Sequence, residues 1–320
     1  MTALPVDYLD HYLAPLQPFL ADADVSDIFI NQPCQVWVER LGGEIGRVGV
    51  PELDADHLDR FSRLVAAHSS QGLSRVHPLV SATLRGGARI QIVIPPAALG
   101  HVAIAIRCHR AMALPLSAYR LETGSREVGR LPETSDAAAF LAEAVRRRLN
   151  IVISGGTSSG KTTLLNSLLR EIPLQERLIT IEDAPELQPG HENTVRLIAT
   201  RGGQGEAHVT PNDLLEAALR MRPDRILLGE LRGVEAYTFL RAINTGHPGS
   251  MTTVHADSPE GALVQLTMMI LQGAHNLDYE NAYTLVSKMV DVVVQVDRHA
   301  GRRSITAIVP VKTALAASDL

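Results

Sequence analysis

The sequence predicts two domains, a smaller α+β domain over residues 1–110 and an α/β domain over residues 135–320. From residue 150 onward, short β-branched runs alternate with helical segments, which is typical of a mostly parallel sheet with helices on both faces. In the first 110 residues, short strands are joined by glycine pairs, which favour tight hairpins. Residues 111–134 contain two prolines and two glycines and are predicted to be a linker.

The composition describes a globular protein large enough for two hydrophobic cores. The chain has 320 residues, of which 45% are hydrophobic and 20% are charged. Its formal net charge of −5 gives no strong sign of direct nucleic-acid binding. The two cysteines, Cys34 and Cys108, lack any ligand spacing, which argues against a disulfide framework and a zinc knuckle. Because neither a signal peptide nor a membrane span is recognisable, we expect a cytoplasmic protein, with peripheral membrane association through a partner left open.

The first domain begins with a helical pattern. Apolar residues recur at helical spacing from Leu9 to Leu20 and predict a helix that faces the core. A membrane-surface helix is the alternative, although basic residues are missing from its polar face. A second helix is predicted over 54–68, and the strands are predicted over 27–30, 35–39, 44–50, 81–85, 88–93 and 102–107.

The second domain begins with a helix over 135–148, which Ser135 can cap. Further on, Thr210 with Pro211 and Asp213 is a strong helix start. Strands and helices are predicted to alternate over 150–154, 161–171, 177–182, 195–199, 211–221, 225–229, 234–244, 250–255, 258–271 and 290–296.

The pattern G-x-x-x-x-G-K-T lies where a strand meets a helix, the context in which it predicts a phosphate-binding loop. Glycines let successive amide groups and a helix N-terminus point at one anion. Lys161 suits the β- and γ-phosphates, and the hydroxyl of Thr162 suits Mg²⁺. The alternative is a glycine-rich turn without a ligand. The predicted nucleotide-binding residues of the loop are Gly155, Gly156, Thr157, Ser158, Ser159, Gly160, Lys161, Thr162 and Thr163.

Two predicted strands end in carboxylates at the edge of the sheet where ligands bind in such folds. Glu182 is assigned to positioning of the attacking water and Glu230 to the Mg²⁺ shell. An aspartate would be expected one residue before Glu230, where Gly229 stands, so this metal-site pattern is atypical. Either glutamate could instead cap a helix.

Histidine and arginine supply the remaining candidates. His255 closes a strand predicted beside the one that ends in Glu230, which would bring it near the γ-phosphate; a structural role is the alternative. Its spacing from His247 is poor for zinc. An arginine commonly neutralises the transferring phosphoryl group. The candidates are Arg89, Arg107, Arg196 and Arg201, any of which could be an ordinary surface residue.

Four segments, GGTSSGKTT, RLITIED, RMRPDRILLGELRG and TGHPGSMTTVHADSP, resemble in order and spacing the Walker A motif, aspartate box, Walker B motif and histidine box of the secretion traffic ATPases. The chain looks most like the VirB-eleven type of the type IV secretion systems, with the conjugal-transfer TrbB ATPases a close second. The resemblance covers residues 150–296 with specific motifs and extends more softly to the first domain. The length, and the lack of further N-terminal domains or a four-cysteine zinc module, argue against type II secretion and pilus-extension ATPases.

This resemblance implies a RecA-like P-loop NTPase domain, a homohexameric ring and ATP with Mg²⁺ bound between the two domains. It implies catalytic roles for Lys161, Glu182, Glu230 and His255, and phosphate contacts from Arg89 and Arg107; it also makes Gly229 normal for the family. It further implies a location at the cytoplasmic face of the inner membrane, with inner-membrane secretion components and a secreted substrate as partners. The substrate, protein or DNA, stays open.

Two functions remain as expectations from the sequence. The first is an ATPase that couples hydrolysis to domain movement in secretion or pilus assembly. The second is a nucleotide-dependent switch or scaffold with negligible turnover. A small-molecule kinase fits poorly, because such enzymes seldom carry a leading domain of this size.

Overall fold

The computed structural model describes residues 8–41, 44–108, 115–119, 136–199, 209–274, 276–299 and 302–311. They form two units, of which the first holds the described residues up to 108 and the second those from 115 onward. Most of the predicted linker lies outside the described residues, as do Ser135 and Arg201.

The first unit contains a six-stranded antiparallel sheet in the order β3-β2-β1-β6-β5-β4. One apolar cluster joins this sheet to the helices of the unit. The elements of the first unit are α1 (Tyr8–Leu13), α2 (Gln17–Ala21), β1 (Val25–Ile30), β2 (Gln35–Arg40), β3 (Ile45–Gly49), α3 (Ala55–His68), β4 (Leu79–Thr83), β5 (Arg89–Val93) and β6 (Ala103–Arg107).

The predicted N-terminal helix is broken in the structure. A 3₁₀ turn over Ala14–Leu16 separates α1 from α2, and a proline stands near the start of both the turn and α2. Proline lacks the N–H group that would continue the α-helical ladder, which explains the break. Leu9, Leu13 and Leu16 are nevertheless buried, so the prediction of a core-facing segment is confirmed.

The second unit is a seven-stranded sheet in the order β13-β12-β7-β11-β10-β8-β9, parallel except for β13. Its strands are β7 (Ile151–Ser154), β8 (Leu178–Glu182), β9 (Thr194–Ile198), β10 (Arg225–Leu228), β11 (Met251–Val254), β12 (Val292–His299) and β13 (Arg302–Pro310). Its helices are α4 (Ala137–Arg146), α5 (Lys161–Leu169), α6 (Pro211–Ala218), α7 (Glu235–Asn244), α8 (Pro259–Gly273) and α9 (Tyr279–Met289).

Helices cover both faces of the second sheet. Ile151 and Ile153 of β7 join the apolar cluster that includes α4 and α5, whereas Val152 joins the cluster that includes α6 to α9. Alternate residues of a strand point to opposite faces, so a strand buried on both sides is apolar throughout. The predicted α/β class is therefore confirmed. In the described part of the chain, no helix combines the length and apolarity needed to cross a membrane.

Local signals set several helix starts. Thr210 and Asp213 form the capping box of α6, as the sequence indicates. Asp136, whose carboxylate accepts from Ala138 N and Ala139 N, caps α4. The helix predicted through residue 148 ends at Arg146, because Arg148 has a positive φ of 57° that no helical residue adopts.

Candidate functional site

The predicted phosphate loop lies between the buried strand β7 and α5. A Cβ at Gly155 would overlap the carbonyl oxygen of Val296, and one at Gly160 would lie 2.7 Å from Arg303 Cδ. Gly160 also has a φ of +103°, which favours glycine. The loop can therefore take this path only with glycine at these two positions.

The loop presents groups that suit an anion. No side chain caps α5 at Gly160. The amide groups in the first turn of a helix have no acceptor within the helix, so they can donate to a bound ligand here. A Cβ at Gly156 would meet no described atom within 4 Å, which leaves space beside the loop. Ser159 Oγ is buried and has no hydrogen-bond partner among the described residues. These features fit a phosphate group bound at a helix N-terminus.

Lys161 is buried at the centre of the loop, 7% exposed. Its Nζ donates to Gly155 O at 2.9 Å and to Gly156 O at 2.8 Å. His255 Nδ1 lies 3.3 Å from the same nitrogen. The structure thus brings the lysine and the predicted histidine together.

The parallel strands place the other predicted residues at the same edge of the sheet. His255 follows β11 and Glu230 follows β10, the strand beside it, while Glu182 ends β8. His255 Nε2 lies 2.6 Å from Glu230 Oε1. Lys161, His255 and Glu230 therefore form a continuous polar chain across three strands.

Arg232 extends this chain, and the sequence analysis missed it. Its Nε donates to Glu230 Oε2 at 2.5 Å, and its Nη1 lies 3.5 Å from Asp183 Oδ2. The signal in the sequence is an arginine two residues beyond the acid at a strand end. Such spacing is common on any surface, so it identified no partner by itself.

Glu182 is buried, 4% exposed, and its two carboxylate oxygens differ. Oε1 accepts from the backbone amides of Glu186 at 2.8 Å and Leu187 at 2.7 Å. Oε2 has no hydrogen-bond partner among the described residues, and Arg196 Nη2 lies 4.0 Å away. Burial raises the pKa of Glu182 above its ordinary value, although the two amide bonds and the charge of Arg196 oppose that rise.

This geometry bears on the alternative structural role of Glu182. Oε1 does order the turn that follows β8, as a structural acid would. The second oxygen has no such task, and leaving a buried carboxylate oxygen unpaired is costly. One oxygen of Glu182 thus remains for a ligand or a water molecule.

Gly229, which stands where an aspartate was expected, has a steric explanation. A Cβ at this position would lie 3.4 Å from Glu182 Cγ. An aspartate would therefore bring a second negative charge against a carboxylate that is already buried. The absence of a side chain at 229 leaves room for Glu182 on the neighbouring strand.

Other predicted residues make structural contacts or belong to the first unit. His247 Nδ1 lies 2.9 Å from Pro223 O, a contact that fits its structural role in the turn before β11. Arg196 donates from Nη2 to Leu187 O at 2.9 Å. Arg89 and Arg107 belong to the first unit, where they are directly opposite in the register of β5 and β6. Arg107 Nε also donates to Asp27 Oδ1 at 3.2 Å.

Comparisons with known proteins find similar proteins over most of the chain. The family described as "Type II/IV secretion system protein" matches residues 10–300. The type IV secretion system protein VirB11 of Bartonella quintana is 39% identical over 324 aligned positions, covering 92% of this chain and 91% of its own length.

Solved structures show the same similarity. The crystal structure of the VirB11 ATPase from the Brucella suis type IV secretion system, in complex with sulphate, is 36% identical and covers 97% of both chains, with a TM-score of 0.52. The pilus retraction motor PilT with bound ADP is 21% identical, with a TM-score of 0.63 over 97% of this chain and 84% of its own. The likeness to PilT concerns the fold alone, and it agrees with a RecA-like second unit.

Proposed function

Because this chain belongs to the type II/IV secretion system protein family and is an ATP-hydrolysing secretion ATPase of the VirB11 type, we propose that it powers a type IV secretion or conjugation machine. In this proposal, magnesium-dependent ATP hydrolysis drives movement between its two domains, 1–110 and 135–320, which the linker 111–134 connects. The movement serves substrate export, pilus assembly or both.

The observation that carries this proposal is the position of Lys161. Its ammonium group lies inside the phosphate loop and 3.3 Å from His255, which in turn contacts Glu230. A structural loop would not need a buried lysine that is linked through His255, after β11, to the acid Glu230 after β10. A site for a triphosphate needs both a cation at the phosphates and acids beyond it.

The residues divide the work of hydrolysis. The loop amides from Gly155 to Thr163 and the ammonium group of Lys161 hold the phosphates and stabilise the charge that develops on them. Glu182 Oε2 accepts a hydrogen bond from the attacking water and orients it. His255 links Lys161 to Glu230 and can respond to the charge of the γ-phosphate.

Magnesium suits the oxygen donors at this place. Thr162 in the first turn of α5 and Glu230 after β10 would hold the ion, which would neutralise phosphate charge. Mg²⁺ usually retains several waters and takes one or two protein oxygens beside the phosphates. A small donor set is therefore sufficient.

Arg89 and Arg107 are proposed as further phosphate-binding residues from the first domain. Their opposite positions on β5 and β6 place two guanidinium-bearing residues side by side. We also propose a homohexamer at the cytoplasmic face of the inner membrane, bound to other components of the secretion system and acting on a secreted substrate.

Lys161→Ala tests the proposed function. We expect magnesium-dependent ATP turnover in the wild type and loss of at least about a hundredfold in the variant, because the phosphates lose their central cation. Phosphate release measures turnover, and a thermal melt verifies that the variant folds. Lys288→Ala, which changes a lysine on α9, is the matched control and should retain wild-type turnover.

The opposite result has a clear meaning. A folded wild type that binds ATP with magnesium but does not turn it over, even with membrane partners present, would contradict the motor and favour a nucleotide-dependent scaffold.

A further inference from the structure

Two arginines face each other at the end of the β12–β13 hairpin. Arg298 and Arg303 are directly opposite in the antiparallel register, so their side chains emerge on the same face of the sheet. Like charges in this arrangement destabilise a sheet. Within the described residues, neither arginine has a carboxylate within ion-pair distance. The pair therefore carries a charge that the described fold does not balance.

Arg303 packs directly on the phosphate loop. A Cβ at Gly160 would lie 2.7 Å from Arg303 Cδ, so the arginine stem covers this glycine. Its Nη1 donates to Thr163 Oγ1 at 3.3 Å. On the same hairpin, Val296 touches Gly155 at the other end of the loop. The hairpin thus lines the loop along one side.

Burial makes this placement costly for Arg303. Burial lowers the pKa of its guanidinium, Tyr119 opposes that effect, and the charge of Arg298 adds to it. A half-buried guanidinium without an acid is stabilised when an anion binds beside it.

The order of strands indicates which part of a nucleotide is nearest. The residues His255, Glu230 and Glu182 follow β11, β10 and β8, which all lie on one side of β7. Those groups serve the γ-phosphate end. The β12–β13 hairpin lies on the opposite side of β7, and Thr163 is two residues further along α5 than Lys161. The β12–β13 side of the loop therefore faces the α-phosphate end of the phosphate chain.

We infer that Arg303, with Arg298 beside it, binds the α-phosphate of the nucleotide. This inference rests on the proposed function, because it places a further residue in the same ATP site. Arg303 thereby distinguishes a nucleotide from a shorter phosphate compound. Binding would also relieve the repulsion between the two guanidinium groups.

Titration of the full chain with ADP and with inorganic pyrophosphate tests the inference. Arg303→Ala should weaken ADP binding by at least about tenfold, which is typical of a lost hydrogen bond between charged groups. The affinity for pyrophosphate, which needs only the loop amides and Lys161, should change less than about twofold in the same variant. Calorimetry measures both dissociation constants, and Arg146→Ala, an exposed arginine on α4, is the matched control.

The contrary outcomes are distinct. Unchanged ADP affinity in folded Arg303→Ala would overturn the inference, and so would an equal loss for ADP and pyrophosphate, which indicates support of the loop alone. If Arg303→Ala does not fold, Arg303→Lys replaces it, with a smaller loss expected that is again confined to ADP. A wild type that binds neither compound would overturn the proposed function itself, and this inference with it.

Discussion

At the scale of single residues, Glu182 combines a structural and a chemical task in one carboxylate. Its Oε1 is fixed by two backbone amides, which hold the side chain in one orientation. Its Oε2 stays without a partner among the described residues. A carboxylate that is fixed at one oxygen and open at the other is well suited to orienting a water molecule.

Glu182→Gln should bind ATP with nearly wild-type affinity and turn it over about 10²- to 10⁴-fold more slowly. Glutamine preserves the shape and the bonds to the turn, but it is a much weaker acceptor for the proton of the attacking water. Calorimetry with a nonhydrolysable ATP analogue and a phosphate-release assay separate binding from turnover. Unchanged turnover would remove Glu182 from the mechanism.

The pH dependence of the same variant gives a second measurement. Because the pKa of Glu182 is raised in the folded state, the folded protein keeps a proton that the unfolded chain has already lost. The free energy of unfolding contributed by this group therefore falls as the pH rises from the ordinary glutamate range through the raised value. Thermal melts should show the stability of Glu182→Gln relative to the wild type increasing over that window. A constant difference would contradict the raised pKa.

Sequence patterns predicted the central residues of the site but not all of them. Glu182, Glu230 and His255 stand at the ends of apolar strands, and parallel strands bring such positions to one edge. Arg232 and Arg303 could not be predicted in this way. The contacts of Arg303 depend on the pairing of β12 with β13. The chain has 27 arginines, and no local pattern distinguishes Arg303 from the others as a ligand-binding residue.

At the scale of elements, the start of β10 is anchored by a buried ion pair. Arg225 is fully buried, and its guanidinium donates to both carboxylate oxygens of Glu176 and to Val145 O at the end of α4. Burial alone would raise the pKa of Glu176, but the hydrogen bonds and charge of Arg225, together with those of Arg148, outweigh it and lower that pKa. This pair fixes the strand whose other end leads to Glu230.

Arg225→Met should destabilise the second unit by about 3 kcal/mol, because it leaves the buried Glu176 carboxylate with only Arg148, 3.3 Å away, as a charged partner. For a domain of this size the melting temperature should fall by roughly 6–12 °C. Arg146→Ala removes an exposed ion pair and should cost no more than about 1 kcal/mol. Equal melting temperatures for the two variants would show that the buried pair contributes nothing special.

Most helices and strands follow from local patterns, and the exceptions have physical causes. The strands of the parallel sheet are short apolar runs, which alternation with helices makes recognisable. The sequence analysis missed α9, whose fully buried side chains are only Ala282 and Val286. It also missed β13, an edge strand that pairs only with β12 in the described sheet and carries two arginines at its start.

At the scale of the whole molecule, the chain consists of two units with separate apolar cores. Separate cores would allow each unit to stay folded during the proposed movement, which is what coupling of hydrolysis to motion requires. The sequence predicts two domains, with the first ending near residue 110 and a change in rhythm from residue 150, but no local pattern can reveal assembly. Oligomeric state is a property of surfaces, and surface residues carry little periodic signal.

Mass measurement in solution tests the proposed ring. With ATP analogue and Mg²⁺ present, light scattering should give about six times the chain mass of 34.6 kDa. Lys161→Ala, with weakened nucleotide binding, serves as the comparison for nucleotide-dependent assembly. A monomer under every condition, at concentrations well above those of the assay, would contradict the hexamer.

The contacts of Lys161 affect how tightly the site can hold its ligand. The ammonium group already donates to two carbonyl oxygens of its own loop. An arriving phosphate must therefore compete with these oxygens and with His255 for the three N–H donors of Lys161, and a departing phosphate gives them back. Affinity is then the difference between two sets of bonds, so a strongly cationic pocket can still release its product between turnovers.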